Sequence, residues 1–576
     1  MVYAIFLHKP YFHIMSRLDE STPVSPTLYQ LFGKKEAVRK APVNKRVFYL
    51  SIQAVINAVF IGFIAKLLVA LIGLITNIAF YGRFSLELSS PAGNHLGWLV
   101  ILIPIAGSIL VGLMAKYGSK AIRGHGIPEA MEKIILEDSK IPPIITFLKP
   151  LSAAISIGTG GPFGAEGPII ATGGALGSLT GQAMHISPGE RKIILTAGAC
   201  AGMAAIFGSP LAAILLAIEL LLFEFSPRSI IPVALACITG AAMHIFLFES
   251  SPVFAMSSIP VPSNSALIIY ILLGLLIGII ATFVSRSVYA VEDLFEKLPI
   301  HWMWWPAIGA IAVGVTGYFA PRTMGVGYDN IQDLLKGNLP LMMLLSLCFL
   351  KYISWVISLG SGTSGGTLAP LFTIGGALGV LLGSITLYVF PSSPINLPTA
   401  ALIGMAAMFA GASRAFLTSV VFALETTGQI NGLLPLLGSC AAAYFVSFFF
   451  MKGSIMTEKI IRRGVKTPDA YEPDVLHGAN VEELMTAIPV GITNLPYVYK
   501  TDDAGLAAEM LGKYNLDTLL VLNNKDDKQP AGVITATAIL KYYSDQKQKD
   551  HNYESPKRTR KMMVHGRKLI KKMGKQ

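Results

Sequence analysis

The chain holds 576 residues, 53% of them hydrophobic and only 14% charged, with a mean hydropathy of +0.58. A soluble domain carries about 25% charged residues, so the composition excludes an ordinary soluble protein and points to a bilayer. The net charge of +12 gathers at the two ends, and the four cysteines (Cys200, Cys237, Cys348, Cys440) lie scattered in apolar sequence without metal-site spacing, as small packing residues.

Residues 1–46 are mostly polar and resemble no cleaved signal peptide. They end in Lys34, Lys35, Arg39, Lys40, Lys45 and Arg46, just before the first apolar run. Further apolar runs are expected near 49–79, 97–115, 192–218, 229–248, 304–320, 340–359, 367–390, 399–424 and 433–451. The run Ala266–Val284 is 19 residues without a charge, enough to cross about 30 Å of hydrocarbon. Arg462, Arg463 and Lys466 follow the last run, so the positive-inside rule puts both termini in the cytoplasm. A multi-pass protein of the cell membrane is expected, its basic ends meeting anionic lipid rather than nucleic acid.

Between these runs stand glycine-punctuated helix starts. The first is GHGIPEAM (124–131), where Pro128 suits a first helical turn. His125 there is either a plain loop residue or an N–H donor and titratable group aimed at a ligand. The second is GPFGAEGP (161–168), in which Glu166 is the only charged residue between Lys149 and Glu190. Residues 149–178 align without gaps on 351–380 at an offset of 202, with 13 of 30 positions identical, six of them glycine. At the same offset GMAAIF (202–207) matches GMAAMF (404–409), so the chain reads as a duplication. Leu368 stands in the second copy where the first has Glu166.

Unwound glycine-rich backbone followed by a helix leaves free N–H groups and about half a positive charge at the helix start. Two such ends, one from each copy, can enclose a partly dehydrated anion. The arrangement is expected to work without a buried lysine or arginine, which would hold the ion too tightly for throughput. An acid in such a place is either a structural acceptor of N–H bonds or a gate; intramembrane acids are costly and mark transport paths. GSGTSG (360–365) fits a dinucleotide pattern, but it sits in membrane-type sequence without the downstream acid, and no dinucleotide site is expected. Gly173, Gly177 and Gly181 are read as helix-packing positions. No paired acids, metal-spaced histidines or base–nucleophile pair occurs, so no enzyme is expected.

From about Lys466 the sequence turns soluble. Residues 481–543 read as helix, strand, helix, strand (TLLVL), turn, strand (GVITA), helix, and 545–576 as a basic disordered tail.

Taken together, GHGIP (124–128), GAEGP (164–168) and GTLAP (366–370) resemble the filter segments of the CLC family of chloride channels and proton/chloride antiporters. The resemblance covers roughly 45–465, and 481–543 is similar to a single CBS motif. It implies an all-α polytopic fold over 47–465, with inverted-topology halves at about 47–250 and 260–465 and broken helices. It also implies a homodimer and a small α/β CBS-like cytoplasmic domain over 466–544. The implied function is selective chloride transport gated by Glu166, as proton-coupled exchange or as a passive channel; a cation-coupled solute symporter is the rival class. The filter would be formed by Gly124, His125, Gly126, Ile127, Pro128, Gly164, Ala165, Gly167, Pro168, Gly366, Thr367, Leu368, Ala369, Pro370 and Met456. No metal or resident cofactor is implied beyond an adenine nucleotide at the CBS-like domain. Four positions depart from the family pattern. His125 replaces a serine, Leu368 a phenylalanine and Met456 a tyrosine. Leu220, one residue after Glu219, replaces the internal proton-relay glutamate.

Overall fold

Apolar length sets the first elements. In this computed structural model, which describes residues 45–248, 251–337, 339–465, 476, 479–487, 495–524, 527 and 529–554, seven helices are long and apolar enough to cross a membrane. They include α1 (Lys45–Tyr81), whose sequence has no proline and, past its first turn, Lys66 as its one charged residue, and Gly97–Tyr117, most of which is α2 (Leu102–Tyr117). The expected segments 1–44, 466–475 and 555–576 lie outside the described residues.

The shorter helices carry the punctuation. α3 (Ile127–Leu136) begins after Gly126 at φ 102°, a backbone that L side chains rarely adopt. α4 (Ile145–Gly158) ends before the GPFG turn, and α5 (Glu166–Ala183) starts from it. α6 (Pro188–Phe207) stops at left-handed Gly208, and α7 (Pro210–Leu216) restarts and passes into a π-turn over Ala217–Leu222. The run expected at 192–218 is therefore two helices, because Gly208 and Pro210 interrupt it. α8 (Pro227–Leu247) and α9 (Asn264–Glu296) are long apolar spans, and α10 (Trp305–Phe319) is shorter. α11 (Tyr328–Lys336) precedes the apolar stretch Leu341–Gly360, which ends in α12 (Lys351–Gly360).

α13 (Leu368–Val389) begins 202 residues after α5, as the sequence match requires. α14 (Leu397–Ser413) and α15 (Phe416–Thr427) split the run expected at 399–424, here at Arg414, which is left-handed at φ 61°. α16 (Leu433–Phe450) and α17 (Glu458–Arg462) complete this unit, which spans 42–471.

The duplication changes register along its length. Gly173 packs on the backbone of Gly198, and Gly375 packs on that of Gly404. The first pair of equivalents is 202 apart and the second 206. Helix ends Gly208 and Arg414 keep the 206 spacing. The match of GMAAIF to GMAAMF at 202 is thus a coincidence of sequence. The second half has four extra residues between its two contacting glycines. The 206 register also pairs two acids. Glu219 accepts from the N–H groups of Leu417 and Thr418 at 2.8 and 2.9 Å, and Glu425 accepts from Leu211 and Ala212 at 3.0 and 2.8 Å. Each carboxylate caps the helix start of the other half. Gly173, Gly177 and Gly181 do face the backbone or side chains of α6 closely, as packing positions.

The residues from 476 onward form a separate unit. Here α18 (Val481–Leu484), α19 (Ala504–Tyr514) and α20 (Ala536–Glu554) accompany β1 (Tyr497–Tyr499), β2 (Thr518–Leu522) and β3 (Pro530–Thr535). The sheet runs β1-β2-β3, with β1 parallel to β2 and β3 antiparallel to it. Val498, Leu519, Val521 and Ile534 share its buried core with Ala507 and Leu511. α20 continues to Glu554, into the stretch expected to be disordered, because residues 545–554 contain neither Gly nor Pro.

Candidate functional site

The two matching loops meet. Gly164 and its 202-residue equivalent Gly366 pair with each other: the N–H of Gly366 donates to the Gly164 carbonyl at 3.1 Å, and that of Gly164 to the Gly366 carbonyl at 3.4 Å. A Cβ on Gly366 would lie 2.9 Å from the Gly167 nitrogen, so only glycine permits the approach. The first loop joins them: Gly124 N–H donates to Thr363 O at 2.9 Å, and Gly365 N–H to Gly124 O at 3.4 Å. The GHGIP, GAEGP and GTLAP segments therefore converge on one place.

Beyond that pairing, α5 and α13 open toward the same space. Among the described residues, no N–H of 165–167 or 367–369 finds a backbone carbonyl. Pro168 and Pro370, at the same step of each helix, have no N–H to add. Low dielectric and two adjacent helix starts give this space the unpaired donors and positive field that suit an anion. The Glu166 carboxylate occupies it. Glu166 is fully buried, and the N–H groups of Glu166 itself and of Ala369 are turned toward its carboxylate. Oε1 accepts from the Tyr328 hydroxyl at 2.8 Å, while Oε2 closes no hydrogen bond of full geometry. A carboxylate and a halide ask for the same donors, so the acid and an anion compete for one position.

Tyr328 was not singled out by the sequence. Its segment GVGYDN (325–330) nevertheless repeats the GHGIPE pattern of 124–129, with glycines at φ 67° and 76° facing those at 105° and 102°. It is a fourth glycine-flanked helix start, the counterpart of the first. Val326 stands where the first copy has His125, and Tyr328 where it has Ile127.

The expectation that no lysine is buried here is wrong. Lys149 and Lys351, equivalents at 202, are 1% and 0% exposed. Lys149 Nζ donates to the carbonyls of Ile122 and Gly124 at 2.9 and 3.0 Å, and Lys351 Nζ to Thr323 O at 3.2 Å. Each ammonium holds carbonyl oxygens on the far side of a glycine turn. The glycine N–H groups of the first turn are themselves taken, that of Gly124 by Thr363 O and that of Gly126 by Glu129, so the ammonium adds positive charge behind the turn rather than freeing its donors. The sequence hinted at this, since lysine is one of the identities shared by the two copies.

The remaining positions are placed as follows. His125 is buried in its loop, with Nδ1 unpartnered. Gly126 N–H is capped at 2.6 Å by Glu129, so the α3 start has already spent a donor. Leu368 and Ala369 are fully buried at the α13 start. Met456 is buried in the turn 454–457, which is fastened by Ile455 N–H to Ala412 O at 2.9 Å and by the Tyr289 hydroxyl to Ile455 O at 2.6 Å. Its own N–H donates to Ser454 Oγ rather than to the filter loops. Leu220 is buried in the π-turn beside Glu219, whose carboxylate also takes the Thr418 hydroxyl at 2.6 Å. Glu219 is thus committed to α15 and does not replace the missing acid.

The sequence profile described as voltage gated chloride channel matches residues 106–448, more than half of the chain. The chain belongs to this family. Within it, the H(+)/Cl(-) exchange transporter ClcA of Yersinia pestis bv. Antiqua (strain Angola) is 29% identical over 383 residues, 64% of this chain and 78% of that one. The protein of the same name from Salmonella typhimurium is 28% identical over 407 residues, 66% and 84% of the two chains. Among solved structures, a slow cyanobacterial Cl-/H+ antiporter superposes with a TM-score of 0.63 at 25% identity, covering 71% of this chain and 98% of the other. A eukaryotic CLC transporter reaches 0.59 at 20% identity over 85% and 97%, a likeness of fold. With its apolar spans, this member of the family is a multi-pass membrane protein of CLC fold carrying a small C-terminal α/β region.

Proposed function

We propose that this chain exchanges chloride for protons across the cell membrane. Each subunit of a homodimer would carry one pathway between halves of inverted topology. One observation carries the reading: the Glu166 carboxylate sits between two helix starts from the two halves, in the place a dehydrated anion would take. Chloride entering that seat displaces the acid. A displaced carboxylate loses its donors, and a proton compensates the loss, so anion entry and proton uptake are linked events. N–H donors with a single acid among them suit an anion and disfavour the cation-coupled symporter, which would need a set of oxygen ligands.

The test is the reversal potential of the reconstituted protein under opposed chloride and pH gradients. Exchange predicts a potential that moves with pH. A potential fixed by chloride alone discards exchange in favour of the passive channel, a reading that the apolar Leu220 at the inner position favours. Equal flux with potassium gluconate and potassium chloride would point to the cation symporter.

By the positive-inside rule, the basic residues at both ends of the sequence support a cytoplasmic side for both termini. The C-terminal α/β unit is read as a CBS-like module that pairs with its copy in the dimer. A thermal shift with ATP, ADP or AMP would assign it a nucleotide; no shift leaves it a dimer contact.

A further inference from the structure

The Tyr328 hydroxyl is aimed at the seat itself. It donates to Glu166 Oε1 at 2.8 Å across 162 residues of sequence. The ring is fixed by neighbours: its centroid lies 6.0 Å from Phe207 and 5.7 Å from Phe254, both met edge-on, and Phe207 stands edge-on to Phe422 at 4.8 Å. The ring, held by these neighbours, presents its hydroxyl to the carboxylate.

We propose that Tyr328 is a ligand shared by gate and anion: its hydroxyl holds the Glu166 carboxylate in the seat and donates to the chloride that replaces it. The inference rests on the exchange reading above. It also accounts for a deficit in this chain, since both filter positions that offer a hydroxyl in the family pattern are His125 and Met456 here. A third hydroxyl, delivered by the fourth helix start, reaches the same space from another element. The other ionisable groups around it are few. Lys351 lies beneath the Gly327 turn, His125 belongs to the adjoining loop, Lys149 reaches that loop's carbonyls from α4, and Asp329, Asp333 and Lys336 lie on α11 itself. Around the seat, α5 contributes only Glu166, and α13 and α14 contribute no charged side chain.

The experiment measures chloride affinity by calorimetry, and flux against pH in liposomes, for the full chain and for Y328F, E166Q and E166Q/Y328F. Phenylalanine keeps the ring against Phe207 and Phe254 and removes only the donor. We expect E166Q/Y328F to bind chloride about ten-fold more weakly than E166Q, the size of one hydrogen bond to a charged group. We expect Y328F alone to pass more chloride at high pH, flattening the pH profile because the carboxylate is held less firmly. That flattening should vanish when Glu166 is already Gln, which a merely structural role would not produce. Equal affinities in the E166Q pair, or a Y328F profile superposing on that of the unsubstituted chain, overturns the proposal while the exchange reading stands. If the unsubstituted chain moves no chloride, the exchange reading itself has failed. Should Y328F not fold, bromide in crystals of E166Q decides: a site at hydrogen-bond distance from Tyr328 Oη, about 3.3 Å, upholds the proposal, and one beyond about 4.5 Å overturns it.

Discussion

The starts of α5 and α13 are the same backbone device built twice. Each follows a glycine turn, each has proline two residues past its first residue, and in each half a buried lysine fastens the neighbouring glycine turn, that before α3 or α11. Only one carries an acid. Where the first has Glu166, the second has Leu368, equally buried. A symmetric pair of helix ends can hold an anion, but it cannot couple the anion to anything. Under the proposed exchange, the asymmetry would supply a single movable charge that competes for the seat from one half only.

Breaking that asymmetry has the largest expected effect. Glu166→Gln keeps shape and hydrogen-bonding capacity while removing the charge, and proton coupling should disappear with chloride flux retained. Paired chloride-electrode and pH-electrode traces read both; proton movement that persists unchanged assigns the carrier elsewhere. Breaking the junction comes next. A methyl on Gly366 meets the backbone of both Gly164 and Gly167. Gly366→Ala should therefore weaken chloride binding by more than about thirty-fold, a cost of over 2 kcal/mol typical of backbone displaced in a tight core. Native-like chloride affinity in a folded variant would refute the close pairing.

The lysines sharpen the comparison. Lys149→Met and Lys351→Met should each reduce chloride affinity about ten-fold, since each removes one charge behind one helix start. A loss confined to one of them would show that the two halves contribute unequally to the field. The smallest effect concerns the paired acids. Glu219→Gln and Glu425→Gln should lower the apparent Tm by similar amounts, about 2–5 °C, because each cap serves the other half in the same way. Neither should alter proton coupling. Lost coupling in Glu219→Gln would make that acid the inner relay after all.

Much of this is legible in the amino-acid sequence. The glycines mark three helix starts, the repeat pairs two of them, and the lone charge of Glu166 points to the site. What escapes a reading of the sequence does so for physical causes. The GVGYDN turn shares only its two glycines with GHGIPE, so identity alone does not reveal a fourth helix start, though its G-x-G rhythm is present. The lysines read as ordinary helix residues, because sequence does not show that carbonyls from glycine turns are folded over them. GMAAIF and GMAAMF mislead because small residues recur at many spacings in packed helices. Only the backbone contact of Gly198 with Gly173, and of Gly404 with Gly375, fixes the register. The breaks at Gly208 and Arg414 are hidden for a related reason, since apolar sequence resumes at once beyond each of them.

The central claim can be tested most directly with bromide in crystals of Glu166→Ala, located by anomalous scattering. The account predicts a peak in the space the carboxylate fills, about 3.3 Å from N–H groups of both 165–167 and 367–369. A peak bound to one helix start alone, or none between them, would contradict it.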